Sequence, residues 1–284
     1  MQPSMPLDMQ AGWPPLETGR RRGLGSVVRK SVLALLSLAV AGALGFAVLL
    51  LVTPSVANAR QLAQAFDNAH GAPYPGVAAP ARFAAALEAT EDHRFASEPG
   101  VDPVGLSRVV YSLVTGKGDQ GGSTLYQQLA KMLYTPGQSG LSAKVEQVAL
   151  AVKLKYSYSG TDILRFYGDV AYFGHGFYGL QNASCGYFGV QPGQLSWPQA
   201  ALLAGLVQAP SSDDPLSYPA AGLSREQHVL GRLVSVGAIS QASADAYLRI
   251  PVADLVAHAG ACGANAADGQ QQGGNDRSQQ ARND

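Results

Sequence analysis

From Ser31 to Ala59 the chain carries no Asp, Glu, Lys or Arg, and within that stretch Val32 to Val52 form 21 nearly continuous apolar residues. As a helix rising 1.5 Å per residue, such a run spans about 30 Å, the thickness of a bilayer's hydrocarbon. A transmembrane helix over 31–53 is therefore predicted. Arg20, Arg21, Arg22, Arg29 and Lys30 precede it, against Asp8 and Glu17, so residues 1–30 carry +3 and should stay in the cytoplasm. Everything after the span then lies outside. The alternative is a cleaved signal peptide, with Ala57-Asn58-Ala59 as an A-x-A site. Against it, the apolar run exceeds the roughly 7–15 residues of a signal core.

The chain has 284 residues, 46% hydrophobic and 14% charged, and its 20 basic residues balance 20 acidic ones. No strongly basic surface is left for nucleic acid. Cys185 and Cys262 permit at most one intramolecular disulfide and are too few for a zinc site. From Ala259 onward Gly, Ala, Gln, Asn and Asp dominate, which predicts a disordered tail over 259–284.

Residues 60–258 remain for the folded domain, and their apolar spacing is helical. Pro80 precedes Phe83, Ala86, Leu87 and Thr90 at helical intervals, and Leu106 to Val114 keep the same spacing up to Gly116. Val145, Val148, Ala149 and Val152 predict a third helix. Ser159 and Asp162 suggest a capping box ahead of Ile163 to Val170, and Ser196 with Pro198 opens a helix through Leu206. Short helices are expected near 221–235 and 241–248, with loops at 115–122, 135–142, 174–179 and 209–219. Alternating strand patterns are nearly absent, so the domain reads as mainly α.

Several motifs can be set aside. Gly174-His175-Gly176-Phe177-Tyr178-Gly179 matches a dinucleotide fingerprint as a string, but a helical segment precedes it where a strand is needed. The histidines form no H-E-x-x-H, and neither S-x-x-K nor K-T-G occurs, which removes zinc-protease and acyl-serine chemistry. Three polar stretches remain. Glu91-Asp92 closes an apolar helix, where a sheltered carboxyl beside a second one can serve as a general base or can simply be a solvated helix end. Gln120 to Lys131 places two glycines and two hydroxyls before a helix, which suits either an anionic phosphate with Lys131 or an ordinary N-cap. The aromatics Tyr167, Tyr172, Phe173, Phe177, Tyr178, Tyr187 and Phe188 can stack on sugars or form core.

Together these stretches resemble a known family. E-D-x-x-F at 91, G-G-S-T-L-x-Q-Q-L-A-K at 121, I-L-x-x-Y-x-x-x-x-Y-F-G-x-G-x-Y-G at 163, Tyr187-Phe188-Gly189 and Ala201 to Pro210 are similar, in order and spacing, to the glycosyltransferase family 51 domain. That module occurs in class A penicillin-binding proteins and in monofunctional transglycosylases, and the resemblance covers about 80 to 235. The single anchor and missing transpeptidase signature look like the monofunctional type.

The resemblance implies a mainly α fold, a lysozyme-like helical lobe with a smaller membrane-apposed jaw lobe behind one transmembrane helix. It implies polymerisation of lipid II at the outer face of the inner membrane, with Glu91 as the base and Asp92 supporting it. Arg108, Lys131 and Lys144 would face phosphates, while Phe95, Gly122, Ser123, Thr124, Gln127, Gln128 and Gln147 belong to the substrate-binding set. A departing pyrophosphate needs cations or a divalent metal, Mg2+ or Mn2+, and no organic cofactor. The implied partners are lipid II, the growing glycan strand, the membrane and other cell-wall synthesis proteins.

The chain also departs from the family. The third motif, usually R-K-x-x-E, here places Ala143, Lys144 and Gln147 at the charged positions, so two of its three charges are missing. Glu98, Met132 and Asp169 stand where the family has His, Asn and Asn. Besides an active but divergent polymerase, the sequence leaves open a noncatalytic homologue that holds lipid II or a cell-wall partner, and a glycan-cleaving enzyme. The last has no use for the phosphate-facing second motif.

Overall fold

The computed structural model describes residues 21–102, 115 and 123–260, with side chains from Ser26 onward. The first element, α1 (Arg21–Val52), contains a 27-residue stretch, Ser26–Val52, of mean hydropathy 2.6, long and apolar enough to cross a membrane. Leucines and valines point outward around its whole circumference, which water does not favour. The chain divides into two compact units, Met1–Leu51 and Val52–Asp284.

The second unit is helical throughout its regular elements: α2 (Ala59–His70), α3 (Ala81–Glu91), α4 (Leu125–Tyr134), α5 (Leu141–Ser157), α6 (Gly160–Val170), α7 (Leu180–Phe188), α8 (Trp197–Leu206), α9 (Pro219–Ser235), α10 (Gln241–Tyr247) and α11 (Val252–Leu255). Among the described residues the nearest thing to a strand is one antiparallel bridge, Tyr172 to Tyr178.

The core is organised by α8. Residues Ala200 to Leu206 are apolar on every side, and all are buried, as a helix without a polar face requires. Ser196 starts it with a capping box, its hydroxyl accepting from Gln199 N and Gln199 Oε1 accepting from Ser196 N. Helix α3 presses Phe83, Ala86 and Leu87 onto α8, and α9 adds Val229, Leu230 and Leu233. Helices α4 and α5 form a second packed pair, and α6 bridges α4 and α2. Ser159 caps α6 by accepting from Asp162 N at 3.1 Å.

Three helices, α2, α7 and the short α11, appear where no helix was predicted. The face that α2 buries is Ala59, Ala63 and Asp67, too small and too polar to show as a hydrophobic stripe. The predicted helix over 106–114 lies outside the described residues, as does the tail from residue 261. Cys185 is disulfide-bonded. Of the aromatic run, Phe173, Tyr187 and Phe188 are core, leaving Tyr172 and Tyr178 nearer the surface.

Candidate active site

Helix α3 ends at Glu91 because Asp92 leaves the helical region, its N–H still donating to Glu88 O. The Asp92 carboxylate turns instead to the start of α4 and accepts from Leu125 N at 3.0 Å. A negative group at a helix N-terminus satisfies an orphan donor and meets the positive end of the dipole. One residue thus closes α3 and opens α4, which fixes the two helices in register. Thr124 completes the start of α4: its hydroxyl accepts from Gln127 N, Gln127 Oε1 accepts from Thr124 N, and Thr124 Oγ1 donates to Gly100 O at 2.9 Å.

That register brings Gln128 to Glu91. Gln128 Nε2 donates to Glu91 Oε2 at 2.9 Å, and Tyr167 OH, fully buried in α6, donates to Gln128 Oε1 at 2.9 Å. The phenol leaves the amide one useful orientation, with its NH2 group toward the carboxylate. Burial raises the Glu91 pKa above the usual carboxylate range, opposed first by the Gln128 hydrogen bond and then by the charges of Arg225 and His228. A carboxylate made more basic by burial and held by one donor suits proton abstraction.

Glu91 opens into a cleft of about 360 Å³. Ser123, Gln127, Gln128 and Lys131 of the α4 region line one side, with Met132 and, from α5, Gln147. Tyr167, Ala171, Tyr172, Val207, Gln208 and Pro210 complete the wall. Lys131 is exposed and lies one turn beyond Gln127 and Gln128, hence on the same face. Gln208 is held by Arg225, whose Nη2 donates to its Oε1 at 2.6 Å while the guanidinium also bonds Gly205 O and pairs with Asp213. Gly174, at φ 89°, lets the 172–178 turn come close to Pro210: a Cβ there would sit 2.2 Å from the Pro210 carbonyl oxygen.

The structure therefore brings together Glu91, Ser123, Gln127, Gln128, Lys131 and Gln147. Others of the expected set lie elsewhere. Thr124 is buried as an N-cap, Phe95 is a core residue stacked on Tyr126 at 4.9 Å, and Lys144 is exposed but not part of the cleft lining. Arg108 and Gly122 lie outside the described residues. At the weakened third motif, Ala143 is buried, and Gln147 donates to Thr135 Oγ1 at 2.9 Å. Glu98 is buried beside Asp92, with which its carboxyl shares a hydrogen bond. Burial, then the charge of Asp92, push its pKa up to about 8, so at neutral pH it is largely protonated.

In the wall formed by Tyr172, Val207, Gln208 and Pro210, the sequence reading offered a role only for Tyr172, as one of the aromatics that can stack on sugars. The wall's residues come from turns far apart in the chain, and the only other signal was their membership in the Tyr172-Phe173-Gly174 and Ala201 to Pro210 motifs.

The transglycosylase family profile matches residues 60–234. Penicillin-binding protein 1A of Streptococcus oralis is 37% identical over 173 residues, which are 60% of this chain and 27% of that protein. A Cupriavidus necator protein named as a transglycosylase is 31% identical over 173 residues, 61% of this chain and 75% of its own. The crystal structure of penicillin-binding protein 1A from Haemophilus influenzae overlaps 34% of this chain and 14% of its own, at 33% identity and a TM-score of 0.32, too little to add to the fold. The chain thus spans about a quarter of the penicillin-binding protein from Streptococcus oralis and three quarters of the Cupriavidus protein. With the profile covering well over half of its residues, the chain belongs to the transglycosylase family, glycosyltransferase family 51.

Proposed function

We propose that this chain is a peptidoglycan glycosyltransferase that polymerises lipid II, anchored in the inner membrane by α1 with residues 1–30 inside and the domain of 60–258 on the outer face. The observation that carries the reading is the Tyr167–Gln128–Glu91 relay at the floor of a cleft that also holds Lys131. A sugar hydroxyl is a poor nucleophile until a base takes its proton. Glu91 accepts the proton of the acceptor's 4-hydroxyl as that oxygen bonds to C1 of the donor sugar. The bond from C1 to the pyrophosphate oxygen breaks, with inversion at C1, and undecaprenyl pyrophosphate leaves with the electron pair. Lys131 stabilises the charge that develops on the leaving group. Asp92 acts at one remove, by locking the helix ends that carry Glu91 and Gln128.

A divalent cation finds few protein ligands here. Besides the Glu91 carboxylate the cleft offers only amide and hydroxyl oxygens as hard ligands, and among the described residues no group of three or more His, Cys, Asp or Glu side chains converges. An Mg2+ or Mn2+ ion in the cleft would be held largely by substrate phosphates, and no step is assigned to it.

A second reading is favoured by the third motif: with Ala143 buried and Gln147 neutral, the domain holds lipid II or a cell-wall partner without turnover. The two separate on one experiment. The purified full chain, given labelled lipid II, should yield glycan polymer and free undecaprenyl pyrophosphate. Retained lipid II binding with neither product would establish the noncatalytic reading instead.

A further inference from the structure

The Asp92 carboxylate holds more than the start of α4. Besides the Leu125 amide it accepts from the Arg94 amide and from the carboxyl of Glu98. Two carboxyls can bond to each other only when one of them carries a proton. The two amides favour the charged form of Asp92, so the proton belongs to Glu98. Both acids are buried, Glu98 at 3% exposure and Asp92 at 6%. The family has His at position 98, so the acid pair is one of the chain's departures.

Among the described residues, the cations around Glu98 are engaged elsewhere. Arg94 pairs with Asp102 across the same turn, and exposed His93 reaches Arg94. Lys155 of α5 favours an ionised Glu98, but its Nζ lies 3.1 Å from the Tyr126 hydroxyl and 3.4 Å from the carbonyls of Phe95 and Ala96. Tyr126 of α4 stays neutral, its phenol pushed up by burial and then by the charge of Asp92. Glu88 of α3 and Asp102 add negative charge around the pair. The turn is also tight. Glu98 N donates to Arg94 O at 2.9 Å, and Thr124 Oγ1 holds Gly100 O. A Cβ on Gly100, at φ 88°, would sit 2.7 Å from Ala151 O. An ionised Glu98 therefore faces the Asp92 charge at close quarters, and relief requires either the turn or Asp92 to move.

We propose that Glu98 is a positioning residue for the transfer reaction: its carboxyl proton holds Asp92 on the Leu125 amide, and through the α3–α4 register it keeps Gln128 against Glu91. This role rests on the polymerase reading of the cleft. Burial, then the charge of Asp92, push the Glu98 pKa up to about 8, above an unfolded value of about 4.3. The contact is therefore fully present at acid pH, weakens as pH rises and is lost above about 8. When the proton goes, two like charges remain in a buried site, and the α3–α4 register that carries Gln128 to Glu91 loosens. The rate then falls on the alkaline side, although rising pH favours Glu91 as the charged base.

The test compares the wild-type full chain with Glu98→Gln in detergent micelles. The amide keeps the volume and can donate to Asp92 at every pH. With labelled lipid II, kcat of the wild type should fall about tenfold from pH 7 to pH 9, as one ionisation near 8 requires, while that of Glu98→Gln should change less than about twofold. KM should run alike in the two chains, since Glu98 does not line the cleft. A second readout needs no turnover. From pH 6 to pH 8 the exchange protection of the Leu125 amide should fall about tenfold or more in the wild type and hold in Glu98→Gln. Equal alkaline slopes of kcat in the two chains would overturn the proposal, and so would an equal loss of Leu125 protection. Polymer whose pH profile ignores Glu98→Gln sinks the positioning role alone. An exchange difference with no polymer at any pH sinks the polymerase reading and leaves the Glu98–Asp92 contact standing.

Discussion

At the Glu91 end of the cleft a phenol, an amide and a carboxylate are joined in one hydrogen-bonded chain, and Asp92 fastens the helices that carry it. At the α5 end, Gln147 is neutral and turned toward Thr135, and Ala143 is packed into the interior. The first end is organised by geometry and the second is poor in charge. A base needs a fixed position and a raised pKa, both of which packing supplies. A leaving pyrophosphate needs positive charge, which packing cannot supply. Under the proposed function, this comparison predicts a chain that keeps proton abstraction and is slow where the donor's phosphates must be held.

The largest gain should come from adding charge at the poor end. Gln147→Glu restores a carboxylate beside a Thr135 hydroxyl that can turn to donate to it, and should raise the initial rate about tenfold or more, given what one well-placed polar group contributes. Adding Ala143→Arg should not help. Ala143 is only 4% exposed, and forcing a long side chain into that space costs about 1–3 kcal/mol or more. The double variant should therefore melt lower and run no faster than Gln147→Glu. A faster double variant with an unchanged melting temperature would show that position 143 opens to the cleft and that the poor end lacks cations above all.

A smaller effect is expected at the organised end. Tyr167→Phe removes the donor that orients Gln128, worth about 1 kcal/mol, or roughly fivefold in kcat. KM should change little, since the phenol meets Gln128 rather than the reacting groups. An unchanged kcat would mean that Gln128 holds Glu91 without help.

How much of this contrast was visible in the sequence depends on range. Thr124 with Gln127, Ser159 with Asp162 and Ser196 with Gln199 are local patterns, and the helices they begin were legible because a cap and its partner lie three residues apart. The apolar run of α1 was legible for the same reason. The relay was not: Gln128 meets Glu91 across 37 residues and Tyr167 across 39, distances over which no periodicity speaks. Helix α7 was missed because Cys185, Ser184, Asn182 and Gly186 carry little helical signal and its ends are set by Gly179 and Gly189. Quoting the motifs gave the cleft's members. Only the fold showed that Thr124 and Phe95 are structural and that Ala143 is buried.

The smallest predicted effect concerns stability. Asp169, close to Tyr167 in α6, is pushed up to about 7 by burial first and the charge of Asp67 second, and one of its oxygens has no partner among the described residues. Its folded pKa lies above the unfolded value of about 4, so the native state binds the extra proton between these limits. Stability therefore falls as pH rises from about 4 to about 7, and the loss is complete above that window. Asp169→Asn should raise the melting temperature by a few degrees at pH 8 and leave it nearly unchanged at pH 4. An equal shift at both pH values would mean the gain comes from packing rather than from removing a buried charge.

The most direct test of the account compares the wild-type full chain with Glu91→Gln in the labelled lipid II assay, alongside thermal melts. The amide keeps the volume and the contact with Gln128's side of the cleft but cannot accept the proton. Polymer from the wild type, a loss of about 10²- to 10⁴-fold in the variant and a melting temperature that does not fall are predicted. Polymer at the wild-type rate from a folded Glu91→Gln chain would contradict the central claim, since the organised end of the cleft would then not hold the base.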